Sequence, residues 1–475
     1  MPKLKIDAAF PSVNCPLFTV NYPGGSILRK LFGTDGVRGL ANAELSPFLA
    51  LQLGTTAAHV IIERKQNTRV LVGRDPRISG DILESALVAG ICSQGVDAVL
   101  LGVIPTPGVA YLTMGSSAAA GAVISASHNP VRDNGIKFFG PDGFKLDDAM
   151  ELAIEQQIDD FDNFPRPQGA DVGNVLRRRE LVSDYAEHVK HSITTPLAGM
   201  SLVIDGANGA ASELAPRIFH ELGAKTMCLN CTPNGININD GSGSLHPEQM
   251  SVLVRQIGAD VGMSFDGDAD RVILSDENGN IVDGDHIMAI YGLHCARTDG
   301  LPTGSVVGTV MSNVGLELAL QKENLRLVRT AVGDRYVCDE MRASGAIVGG
   351  EKSGHIILAR YSTTGDGMVT ALQVLQIMLQ TGKKLSELAG EMEEFPQLLV
   401  NVKVAERDGW EAKPEIIAAI KDAEAKLTGH GRVVVRPSGT EKLIRVMAEG
   451  PDQDELDTLV HQIADTVKRV MGAGV

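Results

Sequence analysis

The sequence is short of aromatic residues and of positive charge, and each shortage narrows the class of protein. Aromatic residues make up 4% of the 475 residues, with one Trp, whereas glycine occurs 52 times. This balance is typical of an α/β enzyme rich in glycine loops and not of a β-sandwich or a disordered chain. The formal net charge of −16 would repel a phosphodiester backbone, so we expect no nucleic-acid partner.

Long apolar runs and paired cysteines are also missing. No apolar run reaches the roughly 20 residues needed to span a bilayer, and the N-terminus lacks a basic region followed by an apolar one. We therefore expect no membrane partner and predict a cytoplasmic protein. The six cysteines are scattered, and Cys228 and Cys231 lack the second ligand pair or redox context that a C-x-x-C site requires.

One structural plan, strand, helix, strand, helix, strand and polar loop, occurs three times. The three copies begin at the strands RVLVG (69–73), SLVID (201–205) and SVVGTV (305–310), and they end in the loops ASHNP (126–130), DGDADR (266–271) and EKSGH (351–355). Such a plan predicts mostly parallel strands with helices on both faces. Because ligands gather at the carboxyl ends of parallel strands, we expect the three loops to face one cleft.

The chain after about Phe395 has a different pattern, with short strands and two helices. It indicates a small α+β unit. The predicted fold is therefore α/β, with three related mixed-sheet α/β/α domains plus a C-terminal α+β domain around a central cleft. The predicted boundaries are an N-terminal tail at 1–28 and domains at 29–182, 183–283, 284–396 and 397–475.

The loop DGDADR places Asp266, Asp268 and Asp270 at alternate positions. Carboxylates are the hard ligands that Mg²⁺ and Ca²⁺ take, and without a cation three of them would repel one another. A calcium EF-hand is one alternative, because Glu277 falls at the twelfth position of that pattern. However, Arg271 stands where the EF-hand needs Gly, and the flanks resemble strands. A solvated acidic turn is the other alternative. We predict magnesium, with Arg271 placed to meet a phosphoryl oxygen.

The turn RPSGTEK (436–442) resembles a phosphate cradle. Arg436 can hold two oxygens as a fork, and Gly439 lets backbone N–H groups come close, while Ser438 and Thr440 offer hydroxyls. An ordinary Ser-Gly turn is the alternative.

Two further loops carry candidate ligands. In EKSGH, Glu351, Ser353 and His355 either contact sugar hydroxyls or cap the following segment. In GTDGVRG (33–39), Arg38 is either an anion ligand or a surface charge. Neither loop decides the function by itself.

The stretch ISASHNP (124–130) concentrates reactive groups in front of Pro130. A serine carries a chemical group only if something activates it, and Lys137 lies on the following turn. A Ser-His-Asp hydrolase fits poorly, since no G-x-S-x-G elbow is present and a triad needs no metal loop. His128 and Asn129 could also merely cap a turn. Beside the other loops, a serine that carries phosphate next to Mg²⁺ is the coherent interpretation.

These motifs together resemble a known family. GTDGVRG, ISASHNPVRDNGIKFF, DGDADR, GEKSGH and RPSGTEKLIRVMAEG occur in the order found in the α-D-phosphohexomutases, and TVMSNVGLELAL, VGDRYV and TTGDGMVTALQVL resemble the bacterial phosphoglucosamine mutase branch. The likeness runs from about Leu31 to the C-terminus.

The resemblance implies a set of functional residues. Ser127 would be the phosphoserine, and it would hold one Mg²⁺ per subunit with Asp266, Asp268 and Asp270. The other implied catalytic residues are Arg38, His128, Lys137 as general base, and His355. The implied substrate ligands are Arg271, Glu351, Ser353, Arg436, Ser438, Gly439 and Thr440.

The resemblance also implies a reaction and its partners. A hexosamine phosphate would be the small-molecule substrate, with glucosamine 6-phosphate and glucosamine 1-phosphate interconverted for cell-wall precursor synthesis. Glucosamine 1,6-bisphosphate would be the intermediate, and it or glucose 1,6-bisphosphate would phosphorylate the serine. A homodimer is implied as well. A phosphomannomutase or phosphoglucomutase, a phosphatase and a non-catalytic phosphosugar sensor are the alternatives.

Overall fold

The computed structural model describes residues 31–33, 35–64, 69–298, 300–406, 409–427, 431–437 and 442–472. These residues form four units in chain order, each built on its own sheet, as the sequence predicted. The predicted tail and Ser438, Gly439 and Thr440 lie outside the described residues. The boundaries at 182, 283 and 396 stay predictions.

The first unit has a six-stranded sheet in the order β1-β5-β4-β2-β3-β6. Its elements are β1 (Val37–Leu40), α1 (Pro47–Arg64), β2 (Arg69–Arg74), α2 (Gly80–Cys92), β3 (Asp97–Val103), α3 (Thr106–Gly115), β4 (Ala120–Ile124), β5 (Asp133–Phe139), α4 (Asp148–Gln157), β6 (Val175–Arg177) and α5 (Val182–Lys190). Strand β2 pairs in parallel with β3 and β4, as predicted. Strand β5 returns antiparallel to β4.

The second unit repeats this plan with a five-stranded sheet in the order β11-β10-β9-β7-β8. Its elements are β7 (Ser201–Asp205), α6 (Ala211–Glu221), β8 (Lys225–Leu229), α7 (Glu248–Ile257), β9 (Val261–Phe265), β10 (Val272–Ser275) and β11 (Ile281–Val282). Strand β7 pairs in parallel with β8 and β9, and β10 returns antiparallel to β9.

The third unit has a four-stranded sheet in the order β13-β12-β14-β15. Its elements are α8 (Gly284–Arg297), β12 (Ser305–Thr309), α9 (Val314–Gln321), β13 (Arg326–Thr330), α10 (Asp334–Ser344), β14 (Val348–Gly350), β15 (Ile356–Leu358), α11 (Gly367–Thr381) and α12 (Leu385–Ala389). Here too the third strand of the repeat is followed by an antiparallel one.

The C-terminal unit is a small antiparallel sheet covered by helices. Its elements are β16 (Gln397–Lys403), α13 (Pro414–Leu427), β17 (Arg432–Pro437), β18 (Leu443–Glu449) and α14 (Gln453–Met471), and the strand order is β16-β18-β17. The side chains of this unit form their own apolar cluster, whereas one cluster runs through the first three units.

The antiparallel strands β5, β10 and β15 change the nature of the three predicted loops. Each loop is a hairpin connection, closed on both sides by ladder hydrogen bonds, and not an open strand end. Lys137 therefore lies within β5 and not on a turn, which corrects the sequence interpretation. The two sides of each hairpin fix its loop more firmly than one strand would. No helix within the described ranges is long and apolar enough to cross a bilayer.

Candidate functional site

Ser127 lies in the hairpin between β4 and β5, which we call the Ser127 loop (residues 125–132). It is 1% exposed, and its backbone has φ +50°. A non-glycine residue in this left-handed region carries backbone strain, which persists only where the surroundings hold it. The contacts of this loop with its surroundings therefore hold Ser127 in this conformation.

Arg77 supplies the main restraint on the Ser127 loop. Its side chain is fully buried, and a guanidinium has five N–H donors in a fixed fork. All five are used: Nε donates to Asp75 Oδ2 at 2.8 Å, Nη1 to the carbonyls of Pro130 at 2.5 Å and Asp133 at 3.1 Å, and Nη2 to those of Ser127 at 2.9 Å and Asn129 at 2.8 Å. One side chain thus fixes four carbonyls around the reactive serine.

Asp75 and Ser125 complete this restraint from the opposite side. Asp75 Oδ2 accepts a hydrogen bond from Ser125 Oγ at 2.6 Å. Ser125 Oγ in turn accepts one from the backbone N–H of Ser127 at 2.9 Å. Both groups of the Ser127 peptide backbone are therefore held by buried side chains, and Ser125 acts on Ser127 only through this contact.

The second unit also reaches the Ser127 loop. Asn239 Nδ2 lies 2.8 Å from the carbonyl oxygen of Ser127 and 3.0 Å from that of Asn129. A Cβ atom on Gly267 would lie 2.5 Å from the Ser127 oxygen, so only glycine permits this approach. The first and second polar loops therefore meet, as the sequence predicted.

The three aspartates lie on the hairpin between β9 and β10, which we call the aspartate loop (266–271). One carboxylate oxygen of each falls within 4.8 Å of the others, and all three residues are buried. Oδ1 of Asp268 and Oδ1 of Asp270 have no hydrogen-bond partner. Buried carboxylate oxygens without partners, in a cluster of like charge, fit a hard divalent cation.

The EF-hand alternative is wrong for this loop. Its flanks are strands and not helices. Glu277, which would be the twelfth-position ligand, accepts a hydrogen bond from Ser386 Oγ at 2.6 Å. The charges of the loop are instead met by groups of the first unit.

Two first-unit side chains contact Asp268. Lys137 Nζ lies 2.8 Å from Asp268 Oδ2 and 3.7 Å from Asp270 Oδ2. Thr106, at the start of α3, donates its hydroxyl to Asp268 Oδ2 at 2.6 Å and its backbone N–H to the Asp268 carbonyl at 3.0 Å. Ser127 Oγ donates to Asp266 Oδ2 at 2.5 Å. The serine, the lysine and the carboxylates are therefore in direct contact.

Burial and the close approach of these charged groups shift the pKa values of the aspartates and of Lys137. Burial, followed by the charges of Asp270 and Asp268, raises the pKa of Asp266 well above its usual value. Burial pushes the pKa of Asp270 up, but His355 and Lys137 hold it below its usual range. Burial alone would lower the pKa of Lys137, yet Asp268, Asp35 and Asp270 raise it. Lys137 beside these carboxylates is an ammonium ion, which is suited to stabilising phosphoryl charge.

Arg38, His128 and His355 also lie where the Ser127 loop meets the aspartate loop. Arg38 pairs with Asp35, and its Nη1 lies 3.4 Å from Asn129 Oδ1. His128 Nδ1 lies 3.2 Å from Ser127 Oγ. Burial, then the charges of Arg271 and Arg38, lowers the pKa of His128 to about 4, so a neutral ring adjoins the serine at neutral pH.

His355 brings the third loop to the same place. Its Nε2 accepts a hydrogen bond from the Gly365 N–H at 3.1 Å, which leaves a proton for Nδ1, 3.6 Å from Asp270 Oδ2. In the same loop, Glu351 Oε1 accepts from the Gly333 N–H at 3.0 Å. Ser353 Oγ is buried without a partner, and this leaves it available to a ligand.

Two guanidinium groups stand apart from these loops, on the C-terminal unit. Arg436 on β17 is directly opposite Arg445 on β18. Both Nε atoms are buried without partners, and burial, then the charge of Arg445, lowers the pKa of Arg436. Like charges facing each other across a ladder are destabilising, so this pair is arranged for an anion. In the part of the chain that the structure covers, no hydrogen bond or ion pair joins Arg436 to the other candidate residues.

Several contacts at this site were not predicted from the sequence. Asp75 and Arg77 directly follow β2, which is also a carboxyl strand end, so the strand-end argument could have found them. Thr106, Asn239 and Arg445 carried no signal in the sequence, because their partners depend on tertiary contacts or on strand register.

Comparison with known proteins shows the family to which the chain is related. Four models of the phosphoglucomutase/phosphomannomutase family match in order: alpha/beta/alpha domain I at residues 29–164, domain II at 183–279, domain III at 283–395 and the C-terminal domain at 399–466. The phosphoglucosamine mutase of Heliobacterium modesticaldum is 51% identical over 457 residues, which cover 93% of this chain and 99% of that protein.

Solved structures share the fold at lower identity. A phosphoglucomutase/phosphomannomutase family protein from Burkholderia thailandensis is 22% identical, with a TM-score of 0.77, over 92% of this chain and 97% of its own. The Aspergillus fumigatus N-acetylphosphoglucosamine mutase, solved with GlcNAc-6P and magnesium, is 20% identical, with a TM-score of 0.66, over 93% and 96%. The chain therefore belongs to the phosphoglucomutase/phosphomannomutase family of α-D-phosphohexomutases, and within it to the phosphoglucosamine mutases.

Proposed function

We propose that Ser127 is the phosphoserine of a mutase that interconverts glucosamine 6-phosphate and glucosamine 1-phosphate. The observation that carries the proposal is the contact of Ser127 Oγ with Asp266, 2.5 Å apart, inside a buried cluster of three carboxylates. A phosphoserine has a charge of about −1.5 to −2 at neutral pH, so it requires positive charge at this point. The reaction class and the glucosamine substrate are those of the relatives that match nearly the whole chain.

In this proposal Asp266, Asp268 and Asp270, together with the phosphoserine, hold one Mg²⁺ per subunit. The unpartnered Oδ1 atoms of Asp268 and Asp270 support it, and so does the magnesium in the Aspergillus fumigatus structure. The cation would supply positive charge to the transferring group and end the repulsion among the carboxylates.

The transfer itself breaks the Oγ–phosphorus bond of Ser127 and forms a bond to the free sugar hydroxyl. Lys137, Arg38 and His355 stabilise the negative charge of the phosphoryl oxygens, since such transfer is mainly electrostatic and positional. The hydroxyl proton must pass to a base, and Lys137 remains our candidate. Its raised pKa argues for the charged form, so the role of base requires that the carboxylates be neutralised first.

The remaining groups hold the sugar and its other phosphate. Glu351 and Ser353 bind sugar hydroxyls, and Arg271 binds a phosphoryl oxygen. Arg436 and Arg445, with Ser438, Gly439 and Thr440, hold the phosphate that is not being transferred. After the first transfer, glucosamine 1,6-bisphosphate exchanges its two ends between these sites, and Ser127 takes back the other phosphoryl group.

Several parts of the proposal stay predictions. They are the priming of Ser127 by glucosamine 1,6-bisphosphate or glucose 1,6-bisphosphate, the cytoplasmic location and the homodimer. The phosphomannomutase or phosphoglucomutase alternative is not favoured, because relatives that match nearly the whole chain are phosphoglucosamine mutases. A sensor without turnover would not need a serine, a lysine and three carboxylates in mutual contact.

A substrate comparison tests the sugar assignment. We expect the purified enzyme to convert glucosamine 6-phosphate with a kcat/KM at least about tenfold above that for mannose 6-phosphate or glucose 6-phosphate, since the C2 amino group of glucosamine offers more donors than the C2 hydroxyl of the other two sugars and also accepts a proton. Product 1-phosphates are measured directly, alongside released inorganic phosphate. Equal or higher efficiency with mannose phosphate would favour the alternative, and phosphate released in proportion to substrate lost would indicate a phosphatase.

Removal of divalent cations tests the metal proposal. We expect a chelator to reduce turnover to background and excess Mg²⁺ to restore it. Independently of activity, Mg²⁺ should raise the melting temperature of the wild type, because a ligand that binds only the native state stabilises it. The Asp268→Asn variant should lose this shift, whereas Asp260→Asn, a change of the same kind outside the loop, should keep it. Full turnover in chelator would contradict the proposal.

A further inference from the structure

A second cavity, of about 590 Å³, lies between the first and second units. Its walls are Arg74 and the start of α2, the end of β3, residues 177–183 and the first turn of α6. None of the candidate residues for the mutase reaction lines it. Its volume is that of a site for a metabolite or cofactor.

The lining of this cavity carries the carboxylates of Asp81, Glu84 and Glu213 and a larger number of guanidinium groups. Four arginines reach it, and one of them, Arg74, is paired with Asp81 at 2.5 Å. Within the described ranges, the side chains of the exposed residues Arg177 and Arg179 form no hydrogen bond or ion pair, although their charges act on the Glu84 carboxylate. The carboxylate contact of Arg217 is a 4.0 Å approach to Glu221. In a chain of net charge −16, such a concentration of guanidinium groups selects small anions.

The same cavity contains one buried donor and one buried acceptor without partners. They are Nε of Arg74 and Oε1 of Glu84, neither of which forms a hydrogen bond, although Arg74 Nε lies 3.8 Å from the other carboxylate oxygen of Glu84. Unsatisfied buried polar groups in a native structure require an explanation, and a bound ligand is one that would meet both atoms here. A hydroxyl group both accepts and donates, so it meets both atoms. The expected ligand is therefore an anion that also carries hydroxyls.

Two walls of the cavity continue into the aspartate loop. At the first turn of α6, the Ala210 N–H donates to the carbonyl of Gly267 at 2.8 Å. At the other wall, β3 leads into α3, whose Thr106 contacts Asp268 through both its N–H and its hydroxyl. A ligand that fixes these walls also acts on the loop that carries the three aspartates.

We propose that this cavity binds a hydroxylated phosphate monoester of the size of a nucleoside monophosphate, and that its occupation changes the Mg²⁺ affinity of the aspartate loop. The binding half stands on the cavity alone. The coupling half rests on the proposed function, because it requires the aspartates to hold Mg²⁺.

Calorimetric titration of the full-length protein with AMP tests the binding half. We expect saturable binding by the wild type and a Kd at least about tenfold higher for Arg179→Gln, since hydrogen bonds to charged groups are strong. The matched control is Arg178→Gln: Arg178 is the neighbouring residue, is exposed, pairs with Glu180 and does not line the cavity. This variant should bind AMP as the wild type does.

Three results would overturn the binding half. They are no saturable binding to the wild type, an equal loss in Arg178→Gln and Arg179→Gln, and a loss in Arg436→Gln, which would place AMP at the sugar-phosphate site. For the coupling half, the melting temperature is measured against Mg²⁺ concentration with and without AMP. In the wild type, AMP should change the Mg²⁺ concentration that gives half of the maximal rise in melting temperature by at least about twofold. In Arg179→Gln, AMP should leave this concentration unchanged.

The outcomes of the second measurement are distinct. An unchanged Mg²⁺ dependence with saturable AMP binding would refute the coupling and leave the binding site. No Mg²⁺ effect under any condition would refute the metal proposal and would not affect the binding result.

Discussion

Ser127→Ala is expected to abolish mutase turnover, with a fall in kcat of at least about 10³-fold, because the substitution removes the proposed phosphoryl carrier. The fold should survive. The Ser127 hydroxyl contacts Asp266 and His128, whereas the backbone of its loop is held by Arg77, Ser125 and Asn239. Sugar-phosphate binding should also remain near that of the wild type, since its ligands lie elsewhere.

Phosphorylation gives a readout that does not depend on turnover. Mass spectrometry of the wild type after treatment with glucose 1,6-bisphosphate should show one added phosphoryl group, and Ser127→Ala should show none. Ser125→Ala is the matched control: it is the same substitution two residues away, and it should still accept the phosphoryl group, although more slowly than the wild type because the Ser127 N–H loses its acceptor. Near-normal turnover by Ser127→Ala, or phosphorylation of that variant at the same level, would end the proposal.

The repeat explains how much of this site could be predicted from the sequence. Each copy places a polar loop after its third strand, and the strand-end argument correctly predicted that Ser127, Asp266 and His355 converge. It did not predict that these loops are hairpins, because the returning strands β5, β10 and β15 lie outside the repeat that the periodicity shows. Lys137 was placed on a turn for that reason, although it projects from a strand.

The residues that support the loops were harder to predict. Thr106 contacts Asp268 across 162 positions, and Asn239 contacts Ser127 across 112. No local pattern encodes such pairs. Arg445 faces Arg436 only because of the register of β17 and β18, and a shift by one residue would have turned it to the other face. Sequence periodicity predicts neither the long-range contacts nor the strand register.

The polar loops also share an electrostatic design. The aspartate loop carries three carboxylates without enough partners of its own, and the first and third units supply Lys137 and His355. The aspartate loop thus has negative charge that the neighbouring units balance only in part. The proposed binding of a cation and of phosphorylated sugar would complete that balance.

Arg77→Lys is expected to lower kcat about 10²-fold with little change in KM. Lysine keeps the charge beside Asp75, so no buried carboxylate is left alone, which would otherwise cost about 3–5 kcal/mol. It has three donors on one atom and cannot reach four carbonyls that Arg77 spans with a rigid fork. Ser127 would lose its fixed position, and a displacement of about 1 Å is enough for a loss of this size.

The control for Arg77→Lys is Arg132→Lys, the same change on an exposed side chain of the Ser127 loop, 76% exposed, which should leave kcat and KM unchanged. Arg77→Lys should unfold at lower temperature, since hydrogen bonds from a charged group are worth about 1.5–3 kcal/mol each, so kcat is measured well below the melting transition. If Arg77 positions Ser127, every folded molecule of Arg77→Lys should turn over slowly. Phosphorylation of Ser127 by glucose 1,6-bisphosphate should be slow as well. If the folded fraction alone accounted for the lost activity, Arg77 would be a stabilising residue with no part in aligning the serine.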